Sequence, residues 1–173
     1  MATFQAKLLI AVGLAAVAAP AFAQSSASQS TTATTRIVQP ITLTKNTDLA
    51  FGTIVRPTTS SSTVTINQTT GARTVTGSDG AAVSASTSGR ATFTVGGEGA
   101  QTFSITVPAS VTMTSGANNI SVTLTASAAT GTLSGTLGSA GTATFGVGGN
   151  FALPSTQASG NYTGSFTTTV AYN

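Results

Sequence analysis

The sequence predicts an all-β fold, a single antiparallel β-sandwich that holds together without a disulfide. Three observations lead there. Apolar residues recur at every second position through many short runs, the side-chain period of a strand with one buried face. Beyond the N-terminal apolar run, no window carries the i, i+3, i+4, i+7 spacing of a helix. Turn-forming residues separate the runs at short intervals, as in sandwiches. With no cysteine in the chain, burial and sheet pairing must hold the fold. A domain of about 150 residues removes roughly 68–70% of its unfolded surface from water, enough for one core.

Residues 1–23 read as a secretory signal peptide. Lys7 precedes an apolar run over 8–19, followed by Pro20 and the small-x-small triplet Ala21-Phe22-Ala23. That run is shorter than the roughly 17–25 residues of a spanning helix, and nothing later approaches such a length. The mature chain is therefore expected to begin at Gln24 and to be exported without a membrane span, passing through a periplasm to the cell surface or the medium. Residues 24–36 read as a flexible arm. As far as Thr35 they are Ser, Thr, Ala and Gln, with too little apolar surface to offset the entropy of ordering. The sandwich domain is then 37–173.

Within it, Ile41 and Leu43 open the pattern. Leu49, Phe51 and Val55 follow, then Val64 and Ile66, and Phe93 and Val95. Further on come Phe103, Ile105 and Val107, then Val111 and Met113, then Ile120, Val122, Leu124 and Ala126. Ala143, Phe145 and Val147, with Phe151 and Leu153, complete the middle of the chain. Between them stand Thr and Ser, and the β-branched Thr suits a pleated, half-wet surface. Thr70-Gly71, Asp79-Gly80, Gly96-Gly97-Glu98-Gly99, the loop 115–119 and Gly148-Gly149-Asn150 read as turns, because glycine and asparagine tolerate positive φ. Residues 127–142, low-complexity Gly, Ser and Thr, read as a long exposed loop or weak edge strand. The expectation is about eight to ten strands, with Phe51, Phe93, Phe103, Ile105, Val122, Leu124, Phe145, Phe166 and Val170 in the core.

The last strand is the most informative. Tyr162, Phe166, Val170 and Tyr172 share one parity with Gly164 and Thr168, while Thr163, Ser165, Thr167, Thr169 and Ala171 take the other. A half-buried strand that runs to the final residues holds the C-terminus inside the fold, so whatever completes that strand controls folding.

Composition removes most function classes. The chain has no His and no Cys, so Ser-His and Cys-His nucleophile pairs and ordinary zinc or copper sites are excluded. Its acids are Asp48, Asp79 and Glu98, without the spacing of a calcium loop or a carboxylate pair. We therefore expect no enzyme, catalytic residue, metal or cofactor. After the leader, Arg36, Lys45, Arg56, Arg73 and Arg90 are scattered singly among Ser and Thr, which is not the basic, aromatic-studded surface of a nucleic-acid binder.

Two blocks then carry a resemblance: Val38-Gln-Pro-Ile-Thr-Leu-Thr-Lys-Asn-Thr-Asp-Leu-Ala-Phe-Gly-Thr-Ile-Val55 and the stretch from Phe145-Gly-Val-Gly-Gly-Asn-Phe-Ala-Leu-Pro154 through Gly160-Asn-Tyr-Thr-Gly-Ser-Phe-Thr-Thr-Thr-Val-Ala-Tyr-Asn173. They resemble the bacterial domain-of-unknown-function 4402 family over essentially the whole chain from Val38 onward. More loosely, Gly160, Phe166, Val170 and the penultimate aromatic Tyr172 resemble the ending of chaperone–usher pilins, and Leu49-Ala-Phe-Gly52 an early strand of spore-coat-U-like pilins. That second resemblance implies an immunoglobulin-like, pilin-like sandwich lacking one strand. A periplasmic chaperone fills its groove, an outer-membrane usher assembles it, and the next subunit's arm completes it by β-strand addition. Pilins of this type usually carry a disulfide, which this chain lacks.

Two functions follow as expectations. One is a structural subunit of a surface filament, joined to copies of itself through Gly160, Tyr162, Phe166, Val170 and Tyr172, with Ile37 and Ile41 as candidate arm anchors. The other is a self-contained secreted or envelope sandwich with an adhesive or matrix role. The composition of the arm favours the second, and the terminal glycine-to-tyrosine spacing favours the first.

Overall fold

The computed structural model describes residues 25–173; the signal peptide expected over 1–23, and Gln24 with it, lie outside the described residues. Residues 25–35 form a unit apart from residues 36–173. Over 25–35 the chain forms neither helix nor strand, and every side chain is exposed.

In the second unit alternation becomes strands wherever an apolar row finds a partner. They are β1 (Thr42–Thr47), β2 (Ile54–Val55), β3 (Ser61–Ile66), β4 (Arg73–Gly77), β5 (Ala81–Ala82), β6 (Ala91–Glu98), β7 (Thr102–Thr106), β8 (Ser110–Ser115), β9 (Asn118–Ala126), β10 (Thr130–Thr132), β11 (Ala140–Pro154) and β12 (Thr169–Tyr172). All pair antiparallel, and no helix forms among the described residues. The fold is the expected all-β sandwich, with twelve strands rather than eight to ten. The extra ones are short pieces such as β2 and β5, whose ladders cover two residues each.

β11 organises the fold. Residues 140–147 pair with β6, residues 149–154 with β3, and residues 147–150 with β9. Val147 is partnered by both Ala91 and Ala126, and Gly149 by both Ile66 and Leu124. A strand has only two edges, so β6 and β3 lie end to end along one and β9 along the other. The sheet extends through β6 to β1, through β3 to β4 and through β9 to β8, and a second sheet runs β10-β7-β12.

The inward rows meet in one core. Val64, Val95, Val122 and Val147 are wholly enclosed. Phe93 and Phe145 face each other in register and stack at 5.2 Å, while Phe51 meets Phe151 edge-on at 4.9 Å, both favoured aromatic geometries. Of the expected core, Phe51, Phe93, Phe103, Val122, Leu124 and Phe145 are buried, whereas Ile105, Phe166 and Val170 are only half-buried at its margin. All three lie on or beside the small sheet, whose β12 is paired along one edge alone.

Two readings of glycine need correcting. Gly148-Gly149-Asn150 lies inside β11, and Gly96-Gly97-Glu98 inside β6. None of these glycines has positive φ, and the left-handed residue at the end of β6 is Ala100, at φ 58°. The glycines serve close approach instead. A Cβ at Gly148 would collide with the carbonyl oxygen of Ile66, and one at Gly149 would sit 2.6 Å from that of Thr123. Residues 127–142 take the second of the two expected forms, a short strand at the edge of the small sheet. They supply β10, and Leu133 is among the most enclosed side chains. Gly131 stands opposite Phe103, whose ring occupies the space a Cβ would need. The predicted turns at Thr70-Gly71 and Ser115-Gly116 do form, with Gly71 at φ 78° and Gly116 at φ 58°.

Candidate functional site

The C-terminal segment follows the expected parity: Tyr162, Phe166, Thr168, Val170 and Tyr172 are half-buried, and the residues between them are exposed, Gly164 of the inward parity included. Its pairing is less continuous than its parity. Thr163 exchanges two backbone hydrogen bonds with Thr114 of β8, at 2.8 and 3.0 Å. Residues 164–168 belong to no ladder, and only Thr169–Tyr172 pairs with β7. Gly164 is needed because a Cβ there would stand 2.6 Å from the Thr112 carbonyl oxygen, and one at Gly160 would strike the Ser115 hydroxyl. These glycines let the segment run flush against β8.

β1 is the matching edge. It pairs with β6 alone, Leu43 opposite Val95 and Lys45 opposite Phe93, with a register break between Lys45 and Thr47. β12 pairs with β7 alone. The two edges come together at both ends. At one, the Tyr172 hydroxyl donates to the Gln39 carbonyl at 2.9 Å and accepts from the Glu98 amide at 2.8 Å. The Glu98 carboxylate is buried there, accepting from the amides of Gln39 and Gly138. At the other end, Leu49 and Tyr162 line one cleft of about 660 Å³, together with Ile54, Met113 and Phe151. Tyr162 is held in that wall by donating to the Ala158 carbonyl and accepting from Gln157, both at 2.7 Å. Between these ends no backbone hydrogen bond joins the two edges among the described residues. The result is a seam roughly one strand long, flanked by Ile41, Leu43, Phe166 and Val170, all half-buried against the core.

Of the two candidate arm anchors, Ile41 packs against the core of its own domain, while Ile37 is 89% exposed. Among the described residues the seam offers two sheet edges paired on one side only, half-covered apolar side chains and no cluster of titratable groups. Among the described residues no three His, Cys, Asp or Glu side chains converge. Four of the five cations of the described residues are engaged locally. Arg73 donates to the Phe51 and Val83 carbonyls at 2.8 Å each, Arg90 to those of Gln68 and Thr69, and Arg56 to that of Gln157. Lys45 pairs with Asp48 at 2.5 Å. No helix of the described residues is long and apolar enough to cross a membrane.

Sequence reasoning missed Glu98 and the partners of Tyr172. The available signal was an acid ending an otherwise apolar, glycine-bearing run, but its partners are far away along the chain. The family model described as "Domain of unknown function (DUF4402)" matches residues 41–172, from the residue before β1 to the end of β12. No curated protein and no solved structure matches.

Proposed function

The chain belongs to the DUF4402 family, and from that premise we propose that it is an exported structural protein, a pilin-like subunit of a bacterial surface filament assembled by β-strand addition. The observation that carries this reading is the seam between β1 and residues 162–172, two edges each paired on one side only. Such edges are templates for another strand, and the ladder itself supplies most of the affinity, so only modest side-chain pockets are needed. Export is supported by the leader-like residues 1–23, and a periplasmic chaperone and outer-membrane usher are the partners such a route requires. In transit the chaperone shields the seam, and in the filament an extended arm replaces it.

A second reading, a self-contained envelope sandwich with an adhesive or matrix role, is favoured by one observation. The Tyr172, Gln39 and Glu98 hydrogen bonds already close one end of the seam within a single chain. Electron microscopy and sedimentation of the mature chain, with and without residues 24–36, separate the two. Filaments that vanish on deletion of the arm support strand addition. Filaments that persist without it rule strand addition out, and a chain that stays monomeric at high concentration is the self-contained sandwich.

A further inference from the structure

The cleft of about 660 Å³ at the Tyr162 end is more than a margin of the seam. Its size falls within the roughly 300–1,000 Å³ of small-molecule sites. Phe51, Ile120 and Phe151 line it from the buried core. Met113 and Tyr162, both half-buried, line it as well, and so does Val55, which is 53% exposed. Apolar surface left uncovered in a concavity is what a ligand with an apolar body covers.

The polar groups of the cleft narrow the class. The Tyr162 hydroxyl donates to the Ala158 carbonyl and accepts from the side-chain amide of Gln157, which also donates to the Asn119 carbonyl. A sugar would therefore bring its hydroxyls to groups already engaged, and unmet hydroxyls are costly. Of the lining side chains only Arg56 carries a charge. One of its N–H groups donates to the Gln157 carbonyl at 2.7 Å, which fixes the guanidinium against the opposite wall. No carboxylate lies within ion-pair distance of it among the described residues, and a guanidinium has further donors in the same fork.

We propose that this cleft binds an amphiphilic carboxylate of the medium-chain fatty acid class, its chain over Phe51, Phe151 and Met113 and its head on Arg56. A carboxylate suits a site with one cation, whereas a phosphate monoester brings about −1.5 to −2 charges at neutral pH. The chain supplies most of the affinity by covering apolar surface, and the two-pronged pairing with Arg56 selects the charged head. The inference is independent of strand addition, since it needs only the cleft of a single chain.

The test titrates the full mature chain with decanoate, decanol and glucuronate below the micelle concentration, reading affinity by calorimetry and position by the NMR signal of the Met113 methyl, the only methionine after Met1. Decanoate should shift that methyl to saturation and bind about tenfold or more tightly than decanol. Arg56 is exposed, so Arg56→Gln should fold, and it should lower the affinity for decanoate to that for decanol while leaving decanol unaffected. Arg56→Lys, which keeps the charge without the fork, should fall between. If decanoate and decanol bind alike, or if Arg56→Gln leaves the preference in place, the head is not read by Arg56 and the assignment fails. Glucuronate binding more tightly than decanoate would give the cleft to a polar body instead. A Met113 methyl that moves with none of the three would show that the cleft is not a ligand site.

Discussion

β11 and the C-terminal segment are both extended and of similar length, yet the fold uses them in opposite ways. β11 has ladders along its whole length and, at Val147, Gly149 and Asn150, on both edges. Its residues 145–149 are buried without a break. Residues 165–172 alternate cleanly between exposed and half-buried, but from Gly160 onward the segment carries ladder pairing only at Thr163 and over Thr169–Tyr172. The cleaner amphipathic pattern thus belongs to the less completed strand. Alternation records which face of a strand meets the core; it says nothing of how many edges find partners, because every residue type except proline brings the same N–H and C=O.

The largest effect should come from breaking β11 where it is most crowded. Gly148→Ala puts a Cβ against the Ile66 carbonyl oxygen, backbone that cannot swing aside as a side chain does. A loss of about 4 kcal/mol or more, read as failure to fold or an early denaturant midpoint, is expected. An alanine tolerated there would mean that the junction of β3, β9 and β11 is looser than described. Next in size is a matched pair. Phe145→Ala, in buried β11, should lose about 3–5 kcal/mol, whereas Phe166→Ala, half-buried beside the seam, should lose about 1–2 kcal/mol, since only part of its transfer free energy is realised. Equal losses in chemical denaturation would erase the contrast between the two strands.

The contrast also marks what was readable in the residues. Parity over 160–172 and the inward rows Phe93 with Val95, and Ile120, Val122 and Leu124, were legible because period-two alternation is local. Gly148-Gly149-Asn150 was misread as a turn because a glycine has two uses, positive φ and the missing Cβ, and composition cannot say which applies. Leu133 was missed because it and Leu137, the two large apolar residues of a Gly-Ser-Thr-Ala stretch, form no period-two row. The seam was half legible: its C-terminal wall is a pattern, but its meeting with Gln39 is a contact between residues 133 apart, which no window contains.

A smaller effect tests the closed end of the seam. Tyr172→Phe keeps the ring and removes the hydroxyl, leaving the Glu98 amide and the Gln39 carbonyl without their partner. A loss of about 1–3 kcal/mol is expected, with faster amide exchange at Glu98 than at any β11 amide. Unchanged stability would mean that water replaces the hydroxyl and that this end of the seam is open.

The smallest effect lies outside both strands and serves as their control. Asp79 accepts hydrogen bonds from the Thr58 hydroxyl, the Thr58 amide and the Ser78 hydroxyl, which lower its carboxyl from 3.8 to about 2. A folded-state value below the unfolded one stabilises above pH 3.8 and is lost as the pH falls through about 2. The melting temperature should therefore decline across that window, and Asp79→Asn should flatten the decline by an amount small beside either strand variant, because the group is exposed. An unaltered acid limb would assign the decline to other groups.

Tyr172, at the end of β12, bonds to Gln39, which precedes β1. A chain emerging N-terminus first cannot make that bond, or the β12 ladder, until residues 169–172 have emerged. β1 pairs with β6 across some fifty residues, and little of the sheet closes locally apart from the hairpins β3-β4 and β8-β9. A topology so dominated by distant pairings folds slowly. The Tyr172 hydroxyl thus acts as a latch: until it reaches Gln39 and Glu98, the edges of two different sheets, β1 and β12, are not tied together at this end.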